Sequence, residues 1–299
     1  MEESRWFAFF GFSPEDAKEG EPSDKSNDPG SISLRESDLC NRLPKSSRIT
    51  ASHVQGDGIG YKDGYTSLEF FGASPYILSD CLIPFVDLRG YLLNDAMPAA
   101  TGGAGLRFLT SRVWGLNGYY DYRKSHHKQY TRASLGLESL GKVWDFRING
   151  YLPLGHKRSG FYDEKFDHTT GTTLFFSKTY EFDFKGANAE IGVHFKRNNY
   201  LPLYFAIGPY YLTGQGETSW GGSARLSCEI GAYFRLEGST SYDALFGWTG
   251  QGRISLNPAF GFKKKKNCES RKFLFERATQ RVDRQEMIPL KTAKVIFVD

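Results

Sequence analysis

The chain has 299 residues, 24% of them charged, with 24 Phe, 17 Tyr, 5 Trp and 33 Gly. No apolar run reaches the ~18–20 residues of a spanning helix, and a chain this aromatic and this near neutrality is not a disordered one. Residues 263–299 hold eleven Lys/Arg against five Asp/Glu within a formal net charge of +4, so a mildly acidic body precedes a basic tail; a nucleic-acid-binding domain would carry its cations on the folded face and is excluded.

Taken in chain order, residues 1–47 combine Gly20, Pro22, Ser23, Pro29 and Gly30 with many charges, the composition of a flexible lead-in. The apolar start Trp6–Phe10 breaks early and is followed by Glu15, Asp16 and Glu19, so it is not read as a signal peptide. Thirteen strand-like stretches follow, at 50–61, 64–72, 83–92, 101–109, 112–122, 131–140, 143–152, 171–182, 186–196, 201–212, 221–230, 233–243 and 248–262. The loops 123–130 and 153–170 are the long ones. From 263 the chain is a basic linker with one short helix expected at about 269–282.

Strict alternation runs through the body. Trp144, Phe146, Ile148, Gly150 and Leu152 oppose Asp145, Arg147, Asn149 and Tyr151; Ala187, Ala189, Ile191, Val193 and Phe195 oppose Asn188, Glu190, Gly192 and His194. Side chains flip at every residue of a strand, so each segment has one apolar and one polar face. The segments are ~9–12 residues long, the span of a tilted strand across a bilayer, against ~5–6 in ordinary sheets. The polar face carries both signs of charge: Asp87, Arg89, Asp121, Arg132, Glu138, Asp145, Arg147, Glu190, Arg225, Glu229 and Arg253. That mixture fits a wet lumen, and paired aromatics such as Phe70–Phe71, Tyr119–Tyr120 and Tyr210–Tyr211 suit interfacial girdles. The expected fold is all-β, a closed antiparallel transmembrane barrel over 48–262. Closure favours an even number of strands, and twelve is expected.

The run Trp114 to Tyr122, ending Tyr120-Asp121-Tyr122, then Arg132 to Glu138, then Asp145 to Leu154 with Asn149-Gly150-Tyr151, resembles the β-domain of inverse autotransporters of the intimin/invasin type. Tyr162-Asp163-Glu164 also matches that family's pattern, and Val282 to Ile288, with Arg284, Glu286 and Ile288, looks like the linker after its barrel. The resemblance implies a twelve-stranded barrel in a bacterial outer membrane. It implies that the chain after the last strand re-enters the lumen, partly as a helix, and leads to the cell surface. Outer-membrane lipid, the barrel-assembly machinery and peptidoglycan are the implied surroundings. The tail would offer Leu274 and Ala278, with Phe273 and Phe275, as an apolar stripe, and Glu269, Arg271, Lys272, Glu276, Arg277 and Arg281 to lumenal charges. The passenger repeats of that family do not occur in this sequence, so adhesion is not carried over.

Other patterns carry less. The cysteines Cys40, Cys81, Cys228 and Cys268 are scattered, with no metal or disulfide spacing. His126 and His127 are adjacent and point apart on an extended chain, which is poor geometry for a metal. Gly56 to Gly60 is read as turn glycines, since no helix follows to bind a phosphate. Lys263–Lys266 is read as a solvated basic run. No catalytic, cofactor or metal site is expected. A diffusion pore of the same fold and a soluble β-rich glycan-binding module are the competing readings.

Overall fold

Segments apolar on one face and charged on the other must present their two faces to different media, and this chain does so by closing a sheet on itself. The computed structural model describes residues 46–74, 81–155, 158–170, 173–197, 201–231, 233–257, 274 and 276–298. The barrel strands are β1 (Ser46–Gly56), β2 (Tyr65–Ala73), β3 (Leu82–Leu93), β4 (Pro98–Leu109), β5 (Val113–Lys124), β6 (Gln129–Leu140), β7 (Trp144–Leu154), β10 (Lys185–Arg197), β11 (Leu201–Gly214), β12 (Glu217–Ile230), β13 (Phe234–Asp243) and β14 (Gly247–Leu256). They are antiparallel, and closure comes from β1 pairing with β14, from Ala51↔Leu256 to Gly56↔Gln251. A second sheet, ordered β15-β9-β8, joins β8 (Tyr162–Thr170), β9 (Thr173–Asp183) and β15 (Leu290–Val298).

The expected twelve-stranded closed barrel is therefore present, but the surplus segment is 171–182. It forms β9, outside the barrel, while β7 pairs directly with β10, from Trp144↔Val193 to Tyr151↔Gly186. The expected loop 153–170 contains β8, exposed along almost its whole length. Both belong to a hairpin projecting from what we term the far end of the barrel; the near end is where β1 starts and β14 stops.

The tail also differs from a plain linker. Residue 274 and residues 276–278 are helical, the chain then runs extended, and 290–298 form β15. β15 pairs with β9 from Leu290↔Asp183 to Val298↔Phe175. The lead-in to residue 45 and the positions Phe260, Phe262, Lys263–Lys266, Glu269, Arg271, Lys272, Phe273 and Phe275 lie outside the described residues.

The outward faces show Leu88, Leu116, Leu135, Leu137, Ile148, Ile191 and Leu226, each about half exposed or more. Outward aromatics gather at both ends, Phe108, Trp114, Trp144 and Phe234 near and Tyr120, Trp220, Tyr242 and Trp248 far. At the far end, Tyr211 packs on Trp220 at 4.9 Å and Tyr242 on Trp248 at 5.0 Å. The aromatic pairs, however, are not girdle pairs. Neighbours on a strand point to opposite faces, so Phe71, Tyr119 and Tyr210 are buried inside while Phe70 and Tyr120 face outward.

Candidate functional site in the barrel lumen

The tail runs through the lumen from end to end, and the wall meets it in three layers. At the near end Phe71, Ile83, Phe85, Val113 and Leu140 form an apolar patch that takes Ala278 and Val282, with Leu274 against it. Leu274 and Ala278 lie four residues apart on the helical turn, so its wall-facing side is apolar, and Val282 follows on the extended chain. At the far end Met287 joins Val54, Tyr65, Tyr91, Leu93 and Ala99, and Ile288 and Leu290 pack with Tyr130.

Between these apolar layers lies an ion-pair belt. Asp121 receives Arg132 Nε at 2.9 Å, both Arg284 Nη atoms at 2.8 and 2.5 Å, and Thr101 Oγ1 at 2.9 Å. Asp283 lies 2.9 Å from Arg225 and 3.4 Å from Arg147. Glu286 meets Arg253 at 3.0 Å and Arg89 at 3.5 Å, and also Arg281. Arg277 reaches Asp145 and the Gly141 carbonyl, bracing the tail at the near end. Charges this deeply buried are tolerated because each has an opposite partner with hydrogen bonds.

At the far end, Gly60 forms part of the exit. It holds φ at +73°, and a Cβ there would stand 2.5 Å from both Pro289 Cα and the Leu290 nitrogen. Its carbonyl accepts Leu290 N–H at 3.3 Å and Arg123 Nη1 at 2.9 Å. Gly56 to Gly60 are thus turn glycines, with Gly60 shaped around the tail. Burial raises the pKa of Tyr61 in the same loop, against the lowering pull of Arg253, and its hydroxyl donates to Gln251 at 2.5 Å.

The residues singled out by sequence fall as follows. Asp87, Arg89, Asp121, Arg132, Glu138, Asp145 and Arg147 are buried on the inner face. Glu190, Arg225 and Arg253 face the lumen half-buried, and Glu229 is exposed near the barrel mouth, in no ion pair among the described residues. Asn149 and Tyr151 are buried, Tyr151 accepting the Gln285 N–H, while Gly150, Tyr120 and the half-buried Tyr122 point outward.

The expected electrostatics need correction. Only Asp121 and Asp145 of the six acids expected to face the tail pair with its arginines; Glu138 pairs with Arg107, Glu190 with Arg147 and Arg225, and Asp87 with Arg89. Residues 274–290 hold three arginines and three acids, and the tail's other cations come before 274 or after 290. The lumen therefore holds a balanced segment. Glu69, Arg107, Arg123, Glu237 and Asp283 also belong to the site and were not singled out. Arg107 stands between Leu106 and Phe108, and the run Gly102-Gly103-Ala104-Gly105 before it interrupts the alternation that would have marked the strand's inner face.

Among the described residues no group of three or more His, Cys, Asp or Glu is placed to hold a metal. His126 lies 4.0 Å from Asp95, and His127 stacks on Tyr162 of β8.

A closed twelve-stranded sheet with an apolar outer belt, aromatic bands and a charged interior defines an outer-membrane β-barrel, with lipid around it. More particularly, residues 89–169 match the family model described as "Inverse autotransporter, beta-domain", and the chain is a bacterial outer-membrane protein carrying that β-domain signature. A membrane-protein chain solved in a study of in-meso crystallization is similar over 82% of this chain and 100% of its own, with 16% identity and a TM-score of 0.55. The translocator domain of the autotransporter NalP from Neisseria meningitidis (12% identity, 75% and 92% covered, TM-score 0.34) and outer membrane phospholipase A from Escherichia coli (12%, 71% and 90%, 0.39) are more distant in shape. Comparison with curated proteins found no match. The soluble-module reading gives way to this fold.

The outer belt gives a direct test. Leu135, 70% exposed near the middle of β6, is expected to face the bilayer core, so Leu135→Arg should destabilise the inserted barrel by about 2–4 kcal/mol. Denaturant unfolding in lipid vesicles measures it; the same change at Leu154, an outward residue at the end of β7, should cost about 0–1 kcal/mol.

Proposed function

We propose that this barrel is a translocator and anchor that presents its C-terminal segment at the cell surface, with the far end outward. The supporting observation is the path of the tail. It packs first against the near-end patch around Val113 and Leu140 and leaves past Gly60 to pair with β9 beyond the far end. A plug that merely closed the pore would have no need to emerge and join an external hairpin. The family match supports the same reading. In this reading residues 1–47 are a lead-in, 48–262 the membrane domain and 263–299 the exported linker. Of the lumenal charges noted from the sequence, Arg89, Asp121, Arg132, Asp145, Arg147, Arg225 and Arg253 act as structure that holds the linker, and the chain has no enzymatic role. The barrel-assembly machinery inserts it, with the near end on the side of peptidoglycan.

Protease added to intact cells tests the reading. Lys291 and Lys294 should be cut by added trypsin, and a tail sheltered from it would reject export. A pore reading has one observation in its favour, a cavity of about 590 Å³ beside the tail at the near end, lined by Arg48, Tyr204, Arg235 and Arg277 among others. Planar-bilayer recordings separate the two. The full chain should conduct poorly and a form lacking 274–299 should conduct well; equal conductance would favour the pore.

A further inference from the structure

Five arginines on the β1–β6 wall donate to main-chain oxygens of the tail. Arg48 reaches Thr279 O at 3.2 Å, Arg89 reaches Val282 O at 3.0 Å, Arg132 reaches Gln285 O at 2.8 Å and Arg123 reaches Ile288 O at 2.5 Å. Arg107 adds Ala278 O at 2.7 Å and Gln280 O at 2.8 Å. The acceptors 279, 282, 285 and 288 are spaced by three. Over 281–289 the chain is neither helix nor strand, and a repeat of three is that of a polyproline-II-like chain, which has no internal hydrogen bonds. Such a chain turns every third carbonyl to one side and needs outside donors for it.

Arginine suits this task better than lysine. Its five fixed donors let one edge hold a wall carboxylate while another holds a passing carbonyl. Arg89 does so with Asp87, Arg107 with Glu138 and Arg132 with Asp121. Arg48 Nε, Arg107 Nη2, Arg123 Nε and Arg132 Nη1 are buried without a hydrogen-bond partner among the described residues, while Arg89 Nη1 faces the Glu286 carboxylate at 3.5 Å. Unused donors at four of the five stations leave capacity for a carbonyl arriving from another register.

We infer that this wall is a binding track for the main chain of an extended polypeptide, gripping it by carbonyls at three-residue intervals whatever its side chains. Asp283, Arg284 and Glu286 then select the register in which this tail rests. The inference rests on the translocator reading and adds the site by which the transported chain is held.

The test uses the full chain in detergent micelles, with its four cysteines changed to Ser and a probe cysteine at Val282, which is 1% exposed. A water-soluble maleimide reports how often the tail leaves the wall. The variant D283N/R284Q/E286Q keeps every tail carbonyl and loses the register-setting pairs, and should label at most about tenfold faster than the parent. The wall variant R89K/R123K/R132K keeps its charges and loses the second donors, and should label about tenfold faster again or more. A tail variant that labels as fast as the wall variant, or continued protection in the wall variant, would overturn the track. Heat-modifiable gel mobility shows which variants retain the barrel. If the triple wall variant lacks it, R123K with the probe at Ile288 replaces it, because Arg123 has no ion pair among the described residues and its change leaves no carboxylate stranded. Micelle labelling does not depend on which end faces outward, so its failure and a failure of surface exposure are separate results.

Discussion

Asp121→Ala is expected to lower the stability of the closed barrel by about 3–5 kcal/mol, the cost of leaving buried partners unmatched. Asp121 is the shared acceptor of Arg132 and Arg284, and all three side chains are within 1% of complete burial. Removing it strands two guanidiniums, one on the wall and one on the tail. Arg284→Met alone removes one cation and leaves Asp121 paired to Arg132, so it should cost less. The double variant should recover part of the loss, because only one cation is then stranded. Urea unfolding in detergent, run as a double-mutant cycle, measures the coupling. Additive losses would mean that the tail and wall are not joined through this carboxylate.

Gly60→Ala is the second large effect. A positive φ at a non-glycine residue costs on the order of 1–3 kcal/mol, and here the new methyl group also meets backbone. Pro289 Cα and the Leu290 nitrogen cannot swing aside as a long side chain could. The barrel should still close, because its strands do not include residue 60. The tail exit should shift instead, loosening β15 from β9. Limited trypsin digestion of the folded barrel should release peptides at Lys291 and Lys294 sooner than in the parent. Unchanged digestion would show that the exit tolerates a side chain.

Much of this architecture was legible because two media enforce period two. In β7 the apolar Trp144, Phe146 and Ile148 face outward and Asp145, Arg147 and Asn149 inward, and no other period fits. β9 misled because alternation shows that a strand has two unlike faces and does not name its partner. Leu174 and Phe176 would read identically against lipid or in an external sheet. β8 stayed hidden for the opposite reason, being polar and exposed on both faces. β15 carries Lys291 and Lys294 among apolar residues, and its basic setting suggested a linker.

The lumenal site was half legible. Charges opposite apolar residues, such as Asp145 and Arg147, could be placed inside. Arg123 could not, since a strand end removes the contrast, and Arg107, though flanked by Leu106 and Phe108, follows a glycine-rich run in which the alternation fades. The apolar inner patches were also invisible, because Phe71 and Phe85 look like lipid-facing residues until a strand's phase is fixed. What fixes it is the tail, whose Ala278 and Val282 occupy that patch. The sign of the tail's charge misled as well: the segment that enters is balanced, and its acids seek wall arginines as much as its arginines seek acids.

The direction of β15 has a mechanical consequence. β9 is tethered at Asp183, beside the barrel rim, and β15 leaves that rim at Leu290 and ends opposite Phe175 at the hairpin's outer part. A pull on the C-terminus away from the membrane therefore draws the two strands in opposite senses along their length. Every rung of the ladder then shares the load at once instead of parting one after another, so the projecting hairpin is built to bear tension.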